Sequence, residues 1–154
     1  MRVMLFAFVL CTAVCAAACS HSAPNFTPGL GELMTLQQMR HAKLWFAGEA
    51  GNWELASYET DEIGEGFADA VVIHPTHKTS PEPLTTAIPR FADAPIAALR
   101  SAIESKSRER FEQAFDALTA SCNGCHAATE FAFNVVTRPT TNTFANQDFA
   151  APRK

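Results

Sequence analysis

No run of lysine or arginine occurs in the 154-residue chain, and its 12 basic residues are outnumbered by 16 acidic ones. A basic stripe is the electrostatic footprint of nucleic-acid binding, so no nucleic-acid partner is expected. No phosphate-cradling loop, Ser–His–Asp set or paired-carboxylate arrangement can be located, and the chain is not expected to be an enzyme. Strand-like alternation and internal repeats are also missing, which leaves helix as the organising period. Tyrosine occurs once and glycine seven times, whereas phenylalanine occurs twelve times and supplies the bulk for a core. Hydrophobic residues make up 47% and charged residues 18%, which excludes a disordered chain, and the length suits a single domain.

Three of the five cysteines lie in the first twenty residues. There, Arg2 precedes an apolar stretch, Val3–Ala18, broken only by Thr12 and closed by Ala16-Ala17-Ala18. A charged start, an apolar middle and a small-residue end describe a secretory signal peptide over residues 1–18. The stretch is shorter than the ~20 residues a spanning helix needs. The chain is therefore expected outside the cytoplasm, in the periplasm. Cys19-Ser20 resembles the lipidated start of a bacterial lipoprotein, although Ala16 stands where leucine is usual. Ordinary cleavage near Ala18 is the alternative, so membrane contact is expected only through a lipid on Cys19. Residues 19–27 read as a polar tether.

Helical periodicity begins at Pro28. At 100° per residue, Leu30, Leu33, Met34, Gln37, His41, Leu44, Trp45 and Gly48 share one face of a helix reaching Glu49, with Gly48 and Gly51 as its stop. Asn52 suits the N-cap of a second helix, which Pro75 ends. The prolines at 75, 81, 83 and 89 predict a long connection over residues 75–92. Asp93-Ala94-Pro95 then predicts a short third helix to about Ser105. Ser107 can cap a fourth, whose stripe runs Phe111, Phe115, Leu118, Cys122, Cys125, His126, Thr129, Phe133. The expected fold is an all-α four-helix bundle over residues 28–133, with one long Pro-rich connection. An extended tail over 134–154 follows, which Phe144 and Phe149 can pin to the bundle.

The strongest chemical signal is Cys122-Asn-Gly-Cys125-His126. Cysteines three apart lie about 300° round a helix and so on one face. That spacing lets both form thioethers to one haem, and the following histidine then ligates its iron. Three other chemistries use a cysteine pair. A thioredoxin-like dithiol sits near a βαβ pattern, which is missing. A zinc site needs about four ligands, and no second cysteine pair exists. A disulfide here closes a tiny loop and adds little stability. Covalent haem c, one per chain, is the expected cofactor. His74 and His77 form an H-x-x-H pair that reads as ordinary cap and surface residues. Arg40, Lys43, Arg108 and Arg110 are the cations that could meet haem propionates.

With C-x-x-C-H on the last helix of an exported four-helix chain, the sequence resembles class II c-type cytochromes, the cytochrome c-prime group. No methionine follows Cys125, unlike class I cytochromes c, where an axial methionine lies downstream. The resemblance implies an electron-carrying monohaem protein with redox proteins as partners, and it admits a homodimer. It also implies that the first helix faces the distal side of the haem. Relative to Leu30, Met34, Gln37 and His41 stand at about 40°, −20° and 20°, whereas Met39 stands at about 180°. Met34, at the height where the resemblance puts the distal residue, is the first-choice sixth ligand, and His41 is the second. An open iron that binds NO or CO is the alternative function, and an accessory haem subunit of a larger oxidoreductase is another.

Overall fold

The computed structural model describes residues 26–150. The signal-like residues 1–18, Cys19 and the tether through residue 25 lie outside the described residues. Four helices follow in order: α1 (Leu30–Glu49), α2 (Trp53–Ile73), α3 (Leu84–Glu104) and α4 (Arg108–Ala128). No strand occurs among the described residues. The chain is an all-α four-helix bundle, and none of these helices is long and apolar enough to cross a membrane.

Two tight joins make antiparallel pairs. Residues 50–52 turn α1 into α2, with Gly51 at φ +68°, where a side chain would be strained. Asn52 caps α2 by accepting the Leu55 N–H at 3.2 Å, and Ser107 caps α4 by accepting the Arg110 N–H at 3.3 Å. Each helix packs on two neighbours, in the ring α1–α2–α3–α4–α1, and α1 and α4 touch least.

Three sequence expectations need correction. The third helix does not begin at Asp93: α3 has 21 residues and carries both Pro89 and Pro95 inside it. The Pro-rich connection therefore shrinks to residues 74–83. A proline inside a helix removes an amide donor, and here Pro95 leaves the carbonyl of Phe91 without its partner four residues on. The Ser121 hydroxyl on α4 donates to that carbonyl instead. Gly48 does not stop α1 but lies buried within it, under the Phe111 ring, where a Cβ would collide with the ring. Phe133 does not continue the α4 stripe. The helix ends at Ala128, Glu130 turns the chain at φ +69°, and Phe133 is 82% exposed.

The bundle has two unlike ends. Where the C-terminal half of α1 meets the N-terminal half of α4, aromatic rings fill the interior. Trp45 lies 4.9 Å from Phe115 and 6.2 Å from Phe111, and Trp53 lies 6.0 Å from Phe111. Phe111 and Phe115 are wholly buried. Such rings carry the largest apolar burial per residue and pack well at these centroid separations. The tail covers this end as expected. Phe149 is buried against Phe46 at 5.6 Å, and Lys43 lies over the Phe144 ring. The other end, where the start of α1 faces the end of α4, encloses a cavity.

Candidate functional site

Cys122, Cys125 and His126 line that cavity from the last turns of α4. Its volume is about 300 Å³, at the lower edge of the ~300–1,000 Å³ typical of ligand pockets. Met34, Gln37 and His41 form the facing wall on α1, as the helix bearings require, while Met39 is not in the wall. Ile63, Phe67, Ile88 and Phe91 make the sides apolar. The wall is built locally. Gly124 leaves room for Phe91, whose Cε1 would stand 3.0 Å from a Cβ there. Gly66 on α2 does the same for Gln37 and Arg40, whose side chains fill the space of its missing Cβ.

Both cysteines are unpaired thiols. Burial pushes the Cys122 thiol up to about 11. Burial also raises that of Cys125, against the opposing pull of the Arg90 guanidinium. Thiol–disulfide enzymes want the reverse, an electropositive setting that favours thiolate. Among the described residues, no group of three or more His, Cys, Asp or Glu is disposed to hold a metal ion. Both thiols stand in a largely apolar wall.

His126 is oriented from outside the bundle. Its Nδ1 lies 2.5 Å from the carbonyl oxygen of Asn134. A carbonyl only accepts, so Nδ1 carries the proton and Nε2 keeps the lone pair of the neutral ring. A histidine held by its Nδ1–H on a carbonyl is the arrangement found behind metal-ligating imidazoles. His41 is tied differently. Its Nε2 lies 2.8 Å from Thr119 Oγ1, whose own proton goes to the Phe115 carbonyl at 2.9 Å. His41 Nε2 is thus the donor. Burial lowers the pKa of this ring to about 4, and it packs 4.4 Å from Phe115. Gln37 is 7% exposed, and neither its amide nitrogen nor its oxygen has a partner.

Comparison of the chain with family models, with curated proteins and with solved structures finds no match.

Of the other sequence-derived candidates, only His77 lines the cavity. Arg40 pairs with Glu62 at 2.8 Å. Arg108 pairs with Glu49 and Glu112, and neither it, Lys43 nor Arg110 is in the wall. The cation beside the site is Arg90, which stacks on Phe91 and pairs with Glu82. His74 lies 2.9 Å from the Pro28 carbonyl, and so ties the end of α2 to the start of α1. His77 lines the cavity edge, 5.4 Å from Phe131.

Sequence reasoning missed the tail's part in the site. Asn123 donates to the Val136 carbonyl at 2.9 Å and accepts the Val136 N–H at 2.8 Å. Phe131, Asn134 and Val136 join the wall. The one sequence signal is an asparagine between the two cysteines, and nothing in its spacing points to residue 134 or 136.

The residues present fit a covalently held haem. Two thiols and a histidine with free Nε2 stand on one wall. Apolar side chains surround them, and Met34 faces them. An orphaned amide, Gln37, gains from a polar group brought into the cavity, because a buried unpaired amide costs roughly 1–3 kcal/mol.

Proposed function

We propose that this chain is an exported c-type cytochrome with one haem, akin to the class II group, and that it carries electrons between redox proteins rather than catalysing a reaction. In this reading Cys122 and Cys125 hold the haem through thioethers, and His126 Nε2 ligates iron. Haem supplies one-electron Fe(II)/Fe(III) chemistry when bound. The chain's own residues set how that chemistry runs. The mostly apolar walls would lower the polarity around it, which would favour its less charged, reduced state. Met34 offers a thioether as sixth ligand, which raises the potential relative to two histidines. His41 is the second choice for that position, with its Nε2 proton already engaged by Thr119.

The observation that carries the reading is the meeting of Cys122, Cys125, His126 and Met34 on the walls of one apolar cavity. Burial of the Cys122 thiol, which raises its pKa, supports it by weighing against a reactive dithiol. The test is the mass of the denatured protein after expression with haem-attachment machinery. A gain of one haem is expected, and Cys122→Ala with Cys125→Ala should abolish it. An unmodified wild-type mass overturns the reading.

A second reading is favoured by Gln37. A buried amide without partners, between Met34 and His41 along α1, suits hydrogen bonding to a small exogenous ligand such as NO on an open iron. A high-spin wild-type protein that takes up CO at once would select this reading over electron transfer.

A further inference from the structure

Asn123 and His126 lie three residues apart on α4, on one face of the helix. Their partners, Val136 and Asn134, lie two residues apart on the segment after the helix. That segment leaves α4 through a turn, in which the Phe131 N–H meets the His126 carbonyl at 2.7 Å and the Asn134 N–H meets the Phe131 carbonyl at 2.8 Å. It then runs back along the helix. The Asn123 carboxamide uses both its donor and its acceptor on the backbone of Val136. It therefore fixes the segment in position and in rotation. A second anchor lies further on. Arg138 reaches Asp116 with Nε at 3.1 Å and Nη2 at 2.7 Å, and stacks over Trp45 at 4.2 Å. Between the two anchors and the turn, the Asn134 carbonyl has little freedom to leave His126 Nδ1.

We propose that Asn123 is a positioning residue for His126: by clamping Val136 it holds the residue 131–138 strap so that the Asn134 carbonyl accepts the His126 Nδ1 proton. The inference rests on the reading of His126 as an iron ligand. Its chemistry is that of an outer hydrogen bond behind a ligating imidazole. Donation from Nδ1 to a carbonyl fixes the ring's orientation and makes Nε2 the stronger donor to a metal. A stronger donor favours the more highly charged Fe(III), so the clamp lowers the potential. The residue between the two cysteines thus acts on the iron through a strap that no motif includes.

The test uses the full chain matured with haem. Asn123→Ala should keep the covalent haem and the helical circular dichroism, because Arg138 and the tail aromatics still hold the strap. Its midpoint potential should shift positive of wild type. Asn123→Asp keeps the acceptor for the Val136 N–H and loses the donor, and should fall between the two. In wild type, the His126 ring N–H should exchange slowly with solvent by NMR, and Asn123→Ala should speed that exchange at least tenfold. A wild-type potential in Asn123→Ala overturns the proposal, and so does fast ring N–H exchange in wild type, which needs no variant to fold. Either result in a protein whose denatured mass includes haem leaves the cytochrome reading standing. A wild-type mass without haem removes both.

Discussion

Burial decides the behaviour of His41. Its pKa falls from 6.5 to about 4 because the core disfavours the imidazolium. The unfolded chain takes up this proton near pH 6.5 and the folded chain does not until about pH 4. The neutral histidine's contribution to stability is therefore complete above pH 6.5. It is lost progressively as pH falls toward about 4, by up to about 3 kcal/mol. Denaturant titrations should show wild type and His41→Gln keeping a constant separation above pH 6.5, with wild type losing stability relative to the variant as pH falls toward about 4; a separation that stays constant down to pH 4 would contradict this. Met34 stands about two turns earlier on the same wall. Met34→Ala should convert a low-spin haem spectrum to a high-spin one that binds CO, while His41→Ala should leave spin state unchanged. A reversal of the two variants would give the sixth position to His41 and retain the electron carrier.

At the scale of elements, helix seams are held by small residues and by one rescued carbonyl. Gly48→Ala forces a methyl into the Phe111 ring, and overpacking of this kind costs typically 1–3 kcal/mol. Ser121→Ala strands the Phe91 carbonyl that Pro95 leaves unpaired, at a cost of about 1–3 kcal/mol. Each should lower the denaturation midpoint without changing its slope. A Ser121→Ala protein as stable as wild type would mean that water serves the carbonyl equally well. These same features explain what sequence could convey. The faces of α1 and α4 were legible because burial follows the 3.6-residue period, and Asn52 and Ser107 because capping is a local act. The start of α3 was hidden by Pro89 and Pro95, which read as breakers. The overriding signal was present in Leu84, Ile88, Ala92, Ile96, Leu99 and Ile103, a buried stripe that runs through both prolines. Gly48 misled for a similar reason, since a glycine in sequence does not say whether it frees the backbone or admits a neighbour. The cysteines and histidine announce themselves by spacing. The bonds of Asn123 to Val136 and of His126 to Asn134 join side chains to backbone across the end of a helix, and no period encodes them.

The whole molecule divides its stability unequally between its ends. The aromatic end is closed and dense, with Phe111, Phe115, Leu44 and Leu99 wholly buried. The cavity end is lined mostly by apolar side chains around about 300 Å³. The Gln37 amide has no partner there, and helices α1 and α4 touch least of the four neighbouring pairs. On the proposed haem reading, attachment bears on folding as well as on function. Chain produced without haem attachment should keep most of its helix by far-UV circular dichroism, since the aromatic end and the caps remain. Its near-UV signal should be weak, and its cavity-end amides, in the first turns of α1 and the last turns of α4, should exchange faster than those around Phe111 and Phe115. Attachment should restore the near-UV signal and equalise the exchange. A haem-free chain with full near-UV dichroism and one sharp thermal transition would show that the cavity walls hold themselves apart unaided, and that the aromatic end alone sustains the bundle.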